Sequence, residues 1–198
     1  FEEINNNIEK IKSTLEVFLD FDGENPAEIV NNADWFSKMN YIDFMREYGV
    51  HFNVNKMLSS QIYDTRLENG GLSFFEMGYM PMQAYDFVHL HKEYGCTLQY
   101  GGADQWGNIA AGTELQRKLN FVNGTNVSLI GATNPLLLTP EGKKMGKTEK
   151  GAIWIDNDKI TAYDFYQGIY QTPDACVEMM YALFTDIEMT EVREIIKQ

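Results

Sequence analysis

Cysteine is scarce: Cys96 and Cys176 are the two in 198 residues. That excludes a small disulfide-built scaffold and fits thiols kept reduced, so the expected compartment is the cytoplasm. Proline occurs five times, and 16 glycines show no period, which excludes collagen-like and low-complexity chains. No apolar run reaches about 18 residues, so no membrane span is expected. The first residues, Phe1-Glu2-Glu3-Ile4-Asn5, have neither the basic nor the apolar region of a secretory leader, and no initiator Met. A piece or processed product of a longer chain is expected. Basic residues are few: 16 Lys and Arg face 29 Asp and Glu, a net charge of −13. That weighs against a broad nucleic-acid surface but leaves room for a small local basic site.

What remains is an ordinary globular composition, 44% apolar and 23% charged. Ile4, Ile8, Ile11, Leu15, Phe18 and Leu19 recur at helical steps and predict a helix over about 2–19. Further helices are expected over 41–48 and 54–68. A long one over 74–94 is capped by Ser73, interrupted at Pro81 and closed by Gly95. Short strands are expected at 96–100, 127–130, 136–139 and 153–155. Gly101-Gly102-Ala103 reads as a tight turn, with Asp104 capping a helix through Lys118. The last helices fall at 161–171, 173–184 and 190–198. Alternation of strands and helices favours an α/β architecture with a largely parallel sheet.

Three segments carry chemistry. Tyr79, Gln83 and Asp86 are spaced i, i+4, i+7, which puts a phenol, an amide and a carboxylate on one helix face. Phe74, Met77, Pro81, Ala84 and Val88 are expected on the apolar back. Such a front can hold an ammonium or a hydroxyl, and it can equally be a solvated polar face. Tyr100-Gly101-Gly102-Ala103-Asp104-Gln105-Trp106-Gly107-Asn108 follows a strand and opens a helix. In open α/β sheets ligands sit beyond that end of a strand. Asp104 can accept from a ribose and Gln105 can donate to a carboxylate. A plain turn with Asp104 as helix cap explains only the Gly and Asp.

Gly142-Lys143-Lys144-Met145-Gly146-Lys147-Thr148 looks like a phosphate loop. Its two glycines enclose one residue too few for a Walker A motif, and a strand is expected after it rather than a helix. Clustered lysines still suit a leaving pyrophosphate, or a solvated basic turn. His51, His89 and His91 make no metal set: His89 and His91 point to nearly opposite helix faces, and no Cys or carboxylate cluster completes a site.

Together and in this order, Tyr79 to Phe87, Gly101 to Asn108 and Lys144-Met145-Gly146-Lys147-Thr148 resemble tyrosyl-tRNA synthetases of the bacterial type, members of class I. Asn32-Ala33-Asp34-Trp35 and Gly151-Ala152-Ile153-Trp154 are similar too. The resemblance implies the second half of a Rossmann-like catalytic domain, a parallel sheet flanked by helices. The catalytic domain would span 1–160 without its N-terminal half. Residues 161–198 would be a helical segment leading toward a truncated C-terminal domain.

The implied activity is activation of L-tyrosine with ATP to tyrosyl-adenylate and pyrophosphate, then transfer to tRNA(Tyr), by a cytoplasmic homodimer. Tyr79 and Gln83 would hold the substrate ammonium, Asp86 its phenol and Gln105 its carboxyl group. Gly102 and Asp104 would contact adenosine. Lys144, Lys147 and Thr148 match the family's KMSKS-type loop on the pyrophosphate side, with Gly146 where the motif has Ser. Mg²⁺ would accompany ATP rather than occupy a protein cage.

The family's His-x-Gly-His tetrad is absent from the 198 residues, so the chain by itself is expected to be inactive. Two alternatives stand beside this one. A tryptophan enzyme is disfavoured by Asp86 on the ligand face. A non-catalytic scaffold that dimerises or binds RNA has no need of the lysine loop and pocket stripe. Phe74 and its apolar neighbours are expected either at a dimer interface or in the core.

Overall fold

The computed structural model describes residues 2–68, 70–138, 153–156 and 158–197. The chain divides into two compact units, one made of Asn31–Leu136 and the other of Phe1–Val30 with Leu137–Gln198. The first helix of the chain, α1 (Glu2–Leu15), belongs to the second of these.

In the Asn31–Leu136 unit, five short helices precede a long one. They are α2 (Ala33–Phe36), α3 (Tyr41–Glu47), α4 (Val54–Leu58), α5 (Gln61–Glu68) and α6 (Phe74–Met77). Asn40 and Asn53 cap α3 and α4 by accepting from backbone N–H groups of the first turn. Ser73 and Glu76 form a reciprocal capping box on α6. The helix expected over 54–68 is therefore two. Ser60 lies between them, and its hydroxyl donates to the Met57 carbonyl at 2.7 Å, which also accepts from the Ser60 backbone N–H at 3.0 Å.

Helix α7 (Tyr79–Tyr94) follows α6 after Gly78. Pro81 sits at the third position of α7, in the first turn, where an N–H has no partner within the helix. The interruption thus falls at Gly78, three residues ahead of the proline. The Met77 carbonyl, which would accept from an N–H at position 81, accepts instead from the Tyr63 phenol at 2.9 Å.

Strand β1 (Leu98–Gly102), helix α8 (Trp106–Asn123) and strand β2 (Ile130–Asn134) form a β-α-β unit with parallel strands, Leu98 opposite Ile130 and Gly102 opposite Asn134. Both strands lie two to four residues further along than the apolar pattern indicates. Gly101 and Gly102 end a strand rather than make a turn, because they pair with Thr133 and Asn134. Local propensity disfavours glycine in strands, and ladder pairing overrides it. Asn120 fastens the return from α8 to β2. Its amide donates to the Val127 carbonyl at 2.7 Å, and its oxygen accepts from Gln116, Thr125 and the Val127 N–H.

The core of this unit lies where α7 crosses α8. Ala84, Phe87, Ile109 and Leu115 are buried almost completely. A Cβ on Gly112 would lie 3.0 Å from Phe87 Cδ1 and 3.5 Å from the Ala84 backbone, so the two helices approach closely because that side chain is missing. Met57, Tyr63 and Met80 form a second cluster, with Phe52, Leu72, Met77 and Ala111 packed against it.

The other unit holds α1 with α9 (Ala162–Tyr170), α10 (Asp174–Phe184) and α11 (Met189–Ile196). Helix α1 stops short of Leu19. The chain after it turns at Asp20, whose carboxylate accepts from the N–H groups of Asp22 and Gly23, both at 2.9 Å. Thr161 caps α9, and α10 packs on α11 around buried Cys176 and Val192. Cys96 and Cys176 are free thiols. Residues 153–156 are described without regular structure, where a strand over 153–155 is expected. Leu136 and Leu137 are likewise irregular and Leu138 makes an isolated bridge, where a strand over 136–139 is expected. Among the described residues no helix is long and apolar enough to cross a membrane.

Candidate active site

Helix α7 carries two parallel stripes. Met80, Ala84 and Phe87 form the buried seam. Tyr79, Gln83 and Asp86 have the same spacing one residue earlier, about 100° around the helix. The polar stripe therefore borders the core instead of lying opposite it, and its burial grows along the helix. Tyr79 is 58% exposed, with its ring edge-on to Phe75 at 5.6 Å; Gln83 and Asp86 are half-buried. The expected apolar back of Phe74, Met77, Pro81, Ala84 and Val88 is not one surface. Phe74 belongs to α6 and is 69% exposed, which removes the reading of it as core, while Ala84 is wholly buried.

Asp86 is the best-defined group of the stripe. Trp35 Nε1 donates to its Oδ1 at 2.8 Å, and Asn32 Nδ2 donates to its Oδ2 at 3.2 Å. Each carboxylate oxygen is held by one donor, which fixes the plane of the group and leaves lone pairs for a further donor. Burial raises the pKa of Asp86 above the ordinary carboxylate value; the hydrogen bonds from Trp35 and Asn32 and the field of His89 oppose that shift. Asn32 and Trp35 stand more than 50 residues away in sequence, and helix periodicity does not reach them. The signal that could have found them is the Asn32-Ala33-Asp34-Trp35 motif.

The second group stands at the carboxyl end of β1. Gly102 is its last residue, and a Cβ there would lie 2.9 Å from Leu136 Cδ2 and 2.7 Å from Asp104 Oδ1. Asp104 is exposed and lies in a single 3-10 turn, Ala103–Gln105. It is not the cap of α8. That place belongs to Gln105, which makes no side-chain capping bond, and the helix runs to Asn123 instead of Lys118. The intervening turn uses up the residues that spacing assigned to the first turn of the helix. Gln105 is half-buried and its Oε1 accepts from Asn108 Nδ2 at 3.3 Å. Its amide nitrogen is the kind of donor that a carboxylate needs.

Tyr79, Gln83, Asp86, Gly102, Asp104 and Gln105 all belong to the Asn31–Leu136 unit. Lys144, Lys147 and Thr148 lie outside the described residues. The histidines serve locally. The His51 carbonyl accepts from Lys118, the His91 ring is hydrogen-bonded to the Cys96 carbonyl at 3.0 Å, and His89 stacks on Trp35.

The chain is similar to several known proteins. The chain is 49% identical over 196 residues to the tyrosine–tRNA ligase of Wolbachia pipientis from Culex pipiens, covering 98% of this chain and 46% of that protein. It is 50% identical over 194 residues to the tyrosine–tRNA ligase of Caldanaerobacter subterraneus subsp. tengcongensis, with the same coverage. The chain thus spans just under half the length of these curated relatives. Among solved structures it is similar to a C-terminally truncated mitochondrial tyrosyl-tRNA synthetase of Coccidioides posadasii. The TM-score is 0.71 and the identity 26%, covering 96% of this chain and 56% of that one. The fold, helices around parallel strands, is that of a class I synthetase catalytic domain. The model of the family described as tRNA synthetases class I (W and Y) matches residues 2–198, and the chain belongs to that family.

Proposed function

We propose that this chain is the central part of the catalytic domain of a tyrosine–tRNA ligase. The observation that carries the reading is Asp86: a half-buried carboxylate, each oxygen held by one donor, on a stripe that also bears Tyr79 and Gln83. An oriented, partly buried acceptor suits a phenolic hydroxyl. An amino acid without that hydroxyl leaves the acceptor unpaired, and rejection of phenylalanine by tyrosine enzymes of this class is the known example of such discrimination.

On this reading Tyr79 and Gln83 hold the ammonium of L-tyrosine, and Gln105 donates to its carboxylate. Gly102 and Asp104 meet the adenosine of ATP. A carboxylate oxygen of tyrosine attacks the α-phosphorus, a bond to that phosphorus forms, and pyrophosphate leaves with its electron pair. Lys144, Lys147 and Thr148 stabilise the departing pyrophosphate, the two lysines by charge and Thr148 as a hydrogen-bond donor. A ribose hydroxyl of tRNA(Tyr) then attacks the carbonyl carbon of tyrosyl-adenylate, the bond from that carbon to the phosphate oxygen breaks, and AMP leaves as the hydroxyl gives up its proton to the departing phosphate. Neither step needs a protein nucleophile; both need placement and fixed charge. Mg²⁺ comes with the ATP phosphates. Among the described residues no three His, Cys, Asp or Glu side chains gather to hold a metal, and no step is assigned to it. The protein works in the cytoplasm as a homodimer, with Phe74 at the contact between copies.

The test is amino-acid-dependent ATP–pyrophosphate exchange by the full-length protein. Tyrosine should drive it, and Asp86→Asn should lower kcat/KM for tyrosine about 100-fold, as expected when a charged acceptor is lost. Lys147→Ala should slow exchange sharply, and an unchanged rate would remove the loop from the mechanism. Exchange with tryptophan and not tyrosine would overturn the assignment.

A further inference from the structure

The Trp35 indole has a single N–H, and it meets Asp86 only while the ring is held at its present angle. On one side of Trp35 stands His89. The two ring centroids are 4.4 Å apart with planes at 32°. His89 follows Asp86 by three residues and Tyr85 by four, so all three lie on adjoining parts of α7. The buried Tyr85 ring stands 5.8 Å from the imidazole and 5.5 Å from Phe36, and so backs the stack. Asp34, Trp35, Lys38, Tyr85, His89 and Glu93 line an open groove there. A small side chain at position 89 would let the indole turn into that groove.

We propose that His89 is a positioning residue for amino-acid selection: its ring face fixes Trp35, and Trp35 fixes Asp86. The inference rests on Asp86 being the acceptor of the substrate phenol. His89 itself touches no reacting atom. Its main contribution is aromatic packing against the indole, so a phenyl ring, which lacks only the field of His89 on Asp86, should recover most of the effect and an aliphatic side chain should not. The effect is confined to tyrosine, because the adenosine contacts at Gly102 and Asp104 lie on other elements.

The experiment is pyrophosphate exchange by the full-length protein carrying His89→Ala, His89→Leu or His89→Phe, with tyrosine, phenylalanine and ATP varied in turn. His89→Ala and His89→Leu should raise KM for tyrosine about tenfold, the scale of one weakened charged hydrogen bond. They should lower the preference for tyrosine over phenylalanine and leave KM for ATP within about twofold. His89→Phe should recover most of the tyrosine affinity. Should His89→Ala fail to fold, the Leu and Phe pair carries the test. Unchanged KM for tyrosine in the Leu variant, no recovery in the Phe variant, or equal losses for tyrosine and ATP would each overturn the inference. A wild-type protein that exchanges with tryptophan and not tyrosine would overturn the underlying reading of Asp86, a result separable from all of these.

Discussion

The phenol of Tyr63 donates to the Met77 carbonyl at 2.9 Å, and that carbonyl is the one Pro81 has no N–H to reach. Tyr63 is 3% exposed, and burial raises its pKa, with a backbone hydrogen bond at Met80 opposing. A side chain from α5 thus completes the hydrogen bonding of a helix junction that the proline leaves open. Tyr63→Phe should cost about 1–3 kcal/mol, the penalty of a buried unpaired acceptor. Pro81→Ala restores a backbone donor in register, since Met82 already donates to Gly78. In that background Tyr63→Phe should cost less, and a double-mutant cycle in urea measures the difference. Additive costs would refute the shared carbonyl.

Gly112 sets the separation of α7 and α8. Its neighbour Phe87 is wholly buried and has no room to withdraw, and the next contact is Ala84 backbone. Gly112→Ala gains about 1 kcal/mol of helix propensity, which offsets part of its crowding. Gly112→Val keeps the crowding, adds bulk and should destabilise by about 2–3 kcal/mol. Thermal midpoints should fall in the order wild type, Ala, Val. A Val variant as stable as wild type would show that the helices can part freely.

Glu114 tests the electrostatics. Arg117 donates to both its oxygens at 2.8 Å, and that hydrogen bonding, against a smaller burial penalty, lowers its carboxyl pKa to about 2. A carboxylate with a depressed folded pKa stabilises above its unfolded pKa and loses that contribution as pH falls through the folded one. Wild type should therefore exceed Glu114→Gln by a constant margin above pH 4.5, shrinking toward pH 2. Arg117 is largely exposed, so solvent screening keeps the margin small. Urea midpoints at pH 7 and pH 3 read it. A margin that grows on acidification would reverse the sign.

Phe74 and Phe75, consecutive on α6, are 69% and 75% exposed. Two largely exposed aromatic rings on one short helix suit an isologous contact between copies. Sedimentation of the full-length protein should show a dimer, and Phe74→Asp should shift it to monomer at equal concentration. A dimer untouched by this change would exclude Phe74 from the interface.

The polar stripe of α7 and the order of the motifs were legible in the sequence, because helical spacing and motif order are local properties; the buried seam beside that stripe was not, because Met80 and Phe87 are defined as core only by what α8 packs on them. The cap Ser73, which acts on backbone three residues away, was legible too. The donors of Asp86 were not. Asn32 and Trp35 approach it only after α2 packs on α7, and no period in the chain spans that distance. Strand limits were misplaced for the same reason: Gly101 and Gly102 are strand residues only because Thr133 and Asn134 lie opposite. Sequence alone determined which chemical groups this protein carries and on which kind of element. Tertiary structure decided which groups face each other, how deeply Asp86 is buried and which ring steadies its donor. Those depend on contacts between distant residues, which exist only once the chain has closed its loops.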